Sequence, residues 1–237
     1  MGESTGTRIE YDSSTQQSTT LSIVLPVYNE GGNLKPLLEE LTETVESGEL
    51  AEYQPYEIIF IDDGSSDGSR DILREAAETY PNIKTLLLRR NFGQSAALSA
   101  GIDSAGGNII VTMDSDMQND PADIPRLLEE MEEGYDCVSG WRKDRKDSVS
   151  KTIPSKIQTY LAWTSGPKIH DFGCTLKAYR SEAIKDIHLY GEGHRYIPSY
   201  LYGRGYSVTE TQVNHRPRHA GETKYGVKRL VKGSLDL

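Results

Sequence analysis

Along the first 140 residues, short runs of consecutive apolar residues alternate with stretches in which apolar residues recur every three or four positions. LSIVLPV (21–27), EIIFID (57–62), IKTLLL (83–88), NIIVTM (108–113) and YDCVSGW (135–141) are such runs, and near-continuous apolar runs predict strands covered on both faces. Between the first two, Leu34, Leu37, Leu38 and Leu41 lie at helical spacing. RDILREAAETY follows the turn DGSSDGS, where Asp67 or Ser69 is placed to cap a helix. GQSAALSAGIDSA predicts a helix of small residues, and PADIPRLLEEMEEG one that starts on Pro121 and stops at Gly134. The alternation predicts an α/β fold: a doubly wound, mostly parallel sheet with helices on both faces. Such sheets bind ligands beyond the carboxyl ends of their strands. Three of those ends carry polar clusters: PVYNE, DDGSSDGS and DSDMQ.

Past residue 142 the pattern loosens. A basic loop leads into the amphipathic stretch SKTIPSKIQTYLAW; HDFGCTLKAYR (170–180) reads as a strand, SEAIKDI as a short helix and YSVTETQVNH (206–215) as a strand. The chain ends in KYGVKRLVKGSLDL. Residues 1–20 are polar, rich in Ser and Thr and without the apolar core of a secretory signal, so they predict a disordered tail. Nowhere do 18 apolar residues run consecutively, so no membrane span is expected within the chain. One domain is the economical reading of the remainder.

Charge changes this picture locally. The 237 residues carry a net charge of −10, which argues against nucleic acid as a partner. Yet residues 142–156 hold six Lys/Arg against two acids, and from Arg204 onward there are seven against three. Two basic patches in an acidic chain suggest particular anions or an anionic surface at those places. Cys137 and Cys174 have no metal-binding or disulfide spacing and are expected as buried free thiols.

The candidate chemistry centres on Asp114 and Asp116. Residues i and i+2 of an extended segment point the same way, so both carboxylates can share one target. Two carboxylates completed by substrate phosphates make a hard-oxygen site suited to Mg²⁺ or Mn²⁺. A loop that caps the next helix is the plainer explanation of an isolated DxD. Asp120, directly before Pro121, is the better cap, which leaves Asp114 and Asp116 unexplained by capping. Asp62 and Asp63 end a strand where a carboxylate can accept from a nucleobase N–H or ribose hydroxyls; taken alone, their cluster reads as a turn. His170, His188, His194, His215 and His219 have no metal-ligand spacing.

In combination, LPVYNE, IDDGSSDGS, RNFGQSAALSAGID, DSDMQNDP, VSGWR and RPRHAGETKYG resemble family-2 glycosyltransferases of the Rossmann-like GT-A fold. More narrowly they resemble the dolichol-phosphate and polyprenyl-phosphate hexosyltransferases. The likeness covers roughly residues 20–236, with Ser115 where an Ala is usual. It implies a catalytic domain over 21–225 and an amphipathic basic tail over 226–237. That tail in the family normally runs on into transmembrane helices; this chain stops at Leu237, so it reads either as a truncated catalytic domain or as a member whose anchor lies elsewhere.

The resemblance also implies roles. Pro26, Tyr28, Glu30 and Asp63 would line the nucleotide pocket, with the backbone of Ile61 beside the base. Asp114, Ser115 and Asp116 would meet the sugar nucleotide, and Asp114, Asp116 and Gln118 would hold the metal. Arg142 would sit by the phosphates, while Arg218 and Lys224 would reach over the diphosphate from a mobile loop. Arg142, Lys143, Arg145 and Lys146 are candidates for an acceptor-phosphate cradle. Catalytic weight is expected on Asp116, Arg218 and Lys224. Asp171 is the base candidate if the acceptor were a hydroxyl, with a strand-edge turn residue as the alternative.

The expected activity is inverting transfer of a hexose from a UDP- or GDP-sugar to a polyprenyl or dolichyl phosphate, on the cytoplasmic face of a membrane. SKTIPSKIQTYLAW and the tail have the composition of interfacial helices, though the first equally fits a helix packed on its own domain. The alternatives are a family-2 transferase using a glycan or protein hydroxyl, and a nucleotide-sugar binding module without turnover.

Overall fold

A computed structural model describes residues 20–143 and 166–217. The apolar runs become the strands β1 (Leu21–Val27), β2 (Tyr56–Asp62), β3 (Ile83–Leu87), β4 (Ile109–Thr112) and β5 (Cys137–Trp141), followed by β6 (Lys177–Arg180) and β7 (Val208–Gln212). They form one sheet in the order β3-β2-β1-β4-β6-β5-β7. β1 pairs in parallel with β2 and β4, β2 with β3, and β5 with β7, while β6 runs antiparallel to both β4 and β5. Six strands therefore share a direction, and their carboxyl ends share an edge.

Alternation within each run divides the core into two layers. Ile23, Leu25, Ile58, Phe60 and Val111 face Leu34, Leu37 and Leu41 of α1 (Gly31–Glu46), Leu73 of α2 (Ser69–Thr79) and Leu127 of α4 (Ile124–Glu132). Val24, Ile59, Ile61 and Ile110 face Ala97, Leu98 and Ile102 of α3 (Gln94–Ser104), Ile184 of α5 (Ser181–Ile184) and Leu201 of α6 (Ile197–Gly203). Both faces of β1, β2 and β4 are covered, which is why these strands are apolar without a polar stripe. Gly101 lets α3 lie close: a Cβ there would sit 2.4 Å from Val24 Cγ1 and 2.5 Å from Ile61 Cδ1.

Most predicted elements are present within a few residues. α4 is preceded by a 3₁₀ turn at Pro121–Asp123, and Gly134 has the left-handed φ of +98° expected after its end. The strand expected over 170–180 is a correction. Only Lys177–Arg180 is extended on the sheet, and residues 171–174 make a turn braced from within. Lys177, buried on β6, donates from Nζ to the carbonyls of Phe172 (3.3 Å) and Cys174. Cys137 and Cys174 are buried and unpaired, and burial pushes both thiols up. SKTIPSKIQTYLAW, the basic tail, Arg145, Lys146, Arg218 and Lys224 lie outside the described residues.

Candidate active site

β1 lies between β2 and β4, so the loops leaving these three strands meet. The first two are tied by backbone donors and side-chain acceptors. Asn29 N donates to Ser65 Oγ (2.9 Å), Ser66 N to Asn29 Oδ1 (2.8 Å), Glu30 N to Ser69 Oγ (3.0 Å) and Gly31 N to Asp67 Oδ2 (3.0 Å). Asp67 Oδ1 also accepts from Ser69 N, bracing the start of α2 from the residue before its N-cap, Gly68. Asn29 holds φ +52°, a conformation that Asn tolerates better than most residues.

Asp62 and Asp63 turn out to be braces. Asp62 is fully buried and accepts from Gly64 N, Ser65 N and Arg70 Nε (2.6 Å). Asp63 accepts from Phe92 N (2.7 Å) and Gly93 N (2.9 Å), so its two oxygens pin the loop before α3. Asp63 thus braces the loop before α3 from the same strand end at which the nucleobase contact is expected. Pro26 offers its carbonyl to Ser115 Oγ (2.8 Å), joining the β1 end to the β4 end. Tyr28 is exposed beside this junction, Glu30 accepts from Asn33 Nδ2, and Ile61 is buried under α3.

The DSDMQ segment is held on every side. Asp114 Oδ1 accepts from Gln94 Nε2 at the start of α3 (2.7 Å), and Asp114 N donates to Asn119 Oδ1 (3.2 Å). Asn119 Oδ1 also accepts from Thr175 Oγ1 (2.9 Å). Met117 adopts φ +65°, a costly conformation for a non-glycine residue. It turns the chain so that Gln118 N reaches Asp116 Oδ1 (3.1 Å). Asp120 caps the next turn through Ala122 N (3.1 Å), as its position before Pro121 predicts. It also receives Arg216 (2.7 Å), whose other partner is Glu40 (2.6 Å).

Burial and then the neighbouring Asp116 charge push the Asp114 carboxyl up to about 6, against the pull of the Thr175 hydroxyl and of Arg142 and Arg195. Two carboxylates and two guanidinium groups thus share one neighbourhood. Arg142, at the end of β5, grips Asp171 with two prongs, Nε to Oδ2 (2.7 Å) and Nη2 to Oδ1 (3.0 Å). Gly173 N adds a third donor to Asp171 Oδ1 (3.1 Å). Lys143 is exposed, with Nζ 5.6 Å from the centre of the Trp141 ring. His170 is structural: it stacks on Trp141 (4.5 Å between centroids) and bonds Glu210.

Gln94, Asn119, Thr175 and Arg195 have site positions that the sequence reading did not single out. Gln94 and Asn119 lie within quoted motifs. Thr175 stands in the stretch read as a strand and Arg195 in one with no readable pattern, and both join the site only through the fold. Among the described residues no cluster of three or more His, Cys, Asp or Glu is arranged to hold a metal. The donor set at the site is two carboxylates one residue apart plus the Gln118 amide.

Comparison with known proteins agrees with this picture. The profile of glycosyl transferase family 2 matches residues 22–188. A dodecaprenyl-phosphate galacturonate synthase of Rhizobium johnstonii is 41% identical over 227 residues, covering 93% of this chain and 66% of that protein. An undecaprenyl-phosphate 4-deoxy-4-formamido-L-arabinose transferase of Edwardsiella ictaluri is 39% identical over 219 residues, covering 92% and 66%. The chain thus spans just under two thirds of the length of these relatives. Among solved structures, glucosyl-3-phosphoglycerate synthase of Mycobacterium tuberculosis, with Mn²⁺, UDP and phosphoglyceric acid, superposes with a TM-score of 0.66 at 18% identity, over 86% of this chain and 72% of that one. A mannosyltransferase of Pyrobaculum calidifontis, with GDP-mannose and Mn²⁺, gives 0.61 at 18%, over 86% and 59%. These two likenesses establish the GT-A fold.

Proposed function

The chain belongs to glycosyl transferase family 2, and from that premise we propose that it transfers a sugar, with inversion, from a nucleoside-diphosphate sugar to a polyprenyl phosphate at a membrane surface. The observation that carries the reading is the pairing of Asp114 and Asp116 at the meeting of three strand ends, in a chain about 40% identical to two transferases named for polyprenyl-phosphate acceptors. Pro26, Tyr28 and Glu30 border the nucleotide side, and Ser115 fixes the β4 end against β1.

The donor set fits Mg²⁺ or Mn²⁺, since it is all oxygen and too small to enclose an ion by itself. Asp114, Asp116 and Gln118 would hold the ion, with diphosphate oxygens filling its remaining positions. When bound, such an ion offsets the charge that develops on the departing diphosphate. Arg218 and Lys224 would add to that effect from the segment that follows Arg216.

A phosphomonoester has its second pKa near 6 and is largely dianionic at pH 7. It needs positioning by cations more than deprotonation, and Arg142, Lys143 and Arg145 supply that charge. The two-pronged ion pair with Arg142 counts against Asp171 as a base for a hydroxyl acceptor, because both its oxygens are already engaged. Its role here is to orient Arg142. Among the described residues no helix is long and apolar enough to cross a membrane; the membrane-surface placement rests on the lipid-phosphate acceptors for which the relatives are named.

The test is transfer of labelled sugar from UDP- and GDP-sugars to a short-chain, water-soluble prenyl phosphate, with and without EDTA. Label should appear in the lipid fraction and vanish on chelation. Transfer that ignores EDTA would remove the metal, and transfer only to glycan or protein hydroxyls would remove the acceptor.

A further inference from the structure

Most of the exposed face of this acidic chain is polar, but one rim beside the site is aromatic and basic. Phe92 is 50% exposed and Tyr190 79% exposed, the two most exposed large hydrophobic side chains among the described residues. Arg90 lies over the Phe92 ring, 4.1 Å from its centre, and Arg89 is exposed beside it. From Ile83 to Ile102 there are three cations and no acid, in a chain of net charge −10. Lys84 is engaged by Glu57, so the charge left at this rim is that of the two arginines.

Two hydrogen bonds bring together the segments that carry Phe92 and Tyr190. Ser95 Oγ, three residues after Phe92, donates to the carbonyl of Gly191 (2.7 Å), the residue after Tyr190. The same hydroxyl meets His194 Nδ1 (2.8 Å), which seats the 3₁₀ turn Gly193–Tyr196 on the start of α3. A Cβ on Gly193 would lie 3.7 Å from Tyr200 Oη, so a third exposed aromatic flanks this turn. The rim also borders the carboxylates: Gln94 bonds Asp114, and Asp63 holds the backbone of Phe92 and Gly93.

We propose that Arg89, Arg90, Phe92 and Tyr190 form a docking rim for the headgroup region of an anionic lipid bilayer, setting the mouth of the site against the membrane. Aromatic side chains at headgroup depth with flanking arginines are what such an interface binds, and the charge is complementary to anionic lipid. The inference rests on the polyprenyl-phosphate reading above: an acceptor whose phosphate lies in the headgroup layer reaches Arg142 only if the mouth faces that layer.

The full chain is sedimented with phosphatidylcholine vesicles with or without phosphatidylglycerol, at low and high salt. Wild type is expected to partition onto the anionic vesicles and to release in salt. R89E/R90E and F92S/Y190S should each lower that partition by about tenfold. Turnover of the short-chain soluble acceptor should stay within about twofold, so loss of soluble turnover in wild type is a failure of the activity, separate from this surface. As a local reporter, Phe92→Trp should shift its emission to the blue on adding anionic vesicles. Unchanged partition in both double variants, or no shift at Trp, overturns the proposal. So does self-association that the variants abolish while vesicle binding stays intact.

Discussion

The two halves of the strand-end edge are built by different means. On the side of β1, β2 and β4, carboxylates and hydroxyls accept from backbone N–H groups across short loops: Asp62, Asp63, Asp67, Ser65 and Ser69 all do so. On the side of β5 and β6, a buried ion pair and a buried ammonium perform the bracing, through Arg142 with Asp171 and through Lys177. The first half tolerates the loss of one bond among many. The second concentrates charge where water is excluded, so removing one partner strands the other. On the function proposed above, the difference would suit a donor side that must be rigid and an acceptor side that must keep positive charge in place.

The largest expected effect lies between the halves. Asp116→Ala should lower transfer by about 10³-fold, comparable to removing a principal electrostatic stabiliser, while the unfolding midpoint stays near that of wild type. Single-turnover transfer and a thermal melt on one preparation check both. A variant that also melts far lower would mean that Asp116 braces its loop as Asp63 does, and the contrast between site and scaffold would fail.

Next is the ion pair. Arg142→Ala leaves Asp171 buried without its partner and should cost about 3–5 kcal/mol in denaturant unfolding. Arg142→Met with Asp171→Leu should recover most of that stability and none of the transfer. If the double variant recovers activity, Arg142 acts only as scaffold.

Asp114 offers a smaller and pH-dependent effect. Its folded value of about 6 lies above the ordinary carboxylate value of 3.8. Its contribution to stability is therefore fully present below pH 3.8 and lost as pH rises through 6. Asp114→Asn should stabilise the metal-free chain by about 1–2 kcal/mol at pH 8, with the gain vanishing near pH 4. Urea unfolding at the two pH values measures it. In wild type, binding of Mn²⁺ should weaken as pH falls below 6, because the proton and the cation compete for one carboxylate.

How much of this was legible along the chain follows the same division. β1, β2 and β4 announce themselves as apolar runs because both their faces are covered, and that burial is local information. Residues 170–176 misled because Phe172, Cys174 and Leu176 alternate as a strand would. Their spacing is set instead by a turn whose brace, Lys177, carries a charge that composition places at the surface. Asp63 was visible as a carboxylate at a strand end, but its partners stand 29 and 30 residues onward. The pair Asp114 and Asp116 was readable because i and i+2 geometry is local. Arg195 and Thr175 were not, because only the fold brings them to the site. α6 escaped because IPSYLYG has too few apolar repeats to set a period; it docks through Ile197 and Leu201.

The smallest expected effect tests whether the donor half reaches beyond its own loops. Asp120 has three partners there, accepting from Ala122 N and from Asn214 Nδ2 and receiving Arg216. Asp120→Ser keeps a cap and removes the long bond from Asn214 Nδ2 and the ion pair with Arg216, a guanidinium about one-third exposed, so it should cost no more than about 1 kcal/mol. Asp120→Ala removes the cap as well and should cost about 1 kcal/mol more than the Ser variant. Denaturant melts separate the two contributions. Because Arg216 precedes Arg218 and Lys224, both variants should also raise the KM for the nucleotide-sugar by a similar factor while kcat stays put. A rise in KM confined to Asp120→Ala would assign it to the cap and leave Arg216 with no part in placing the segment that follows it.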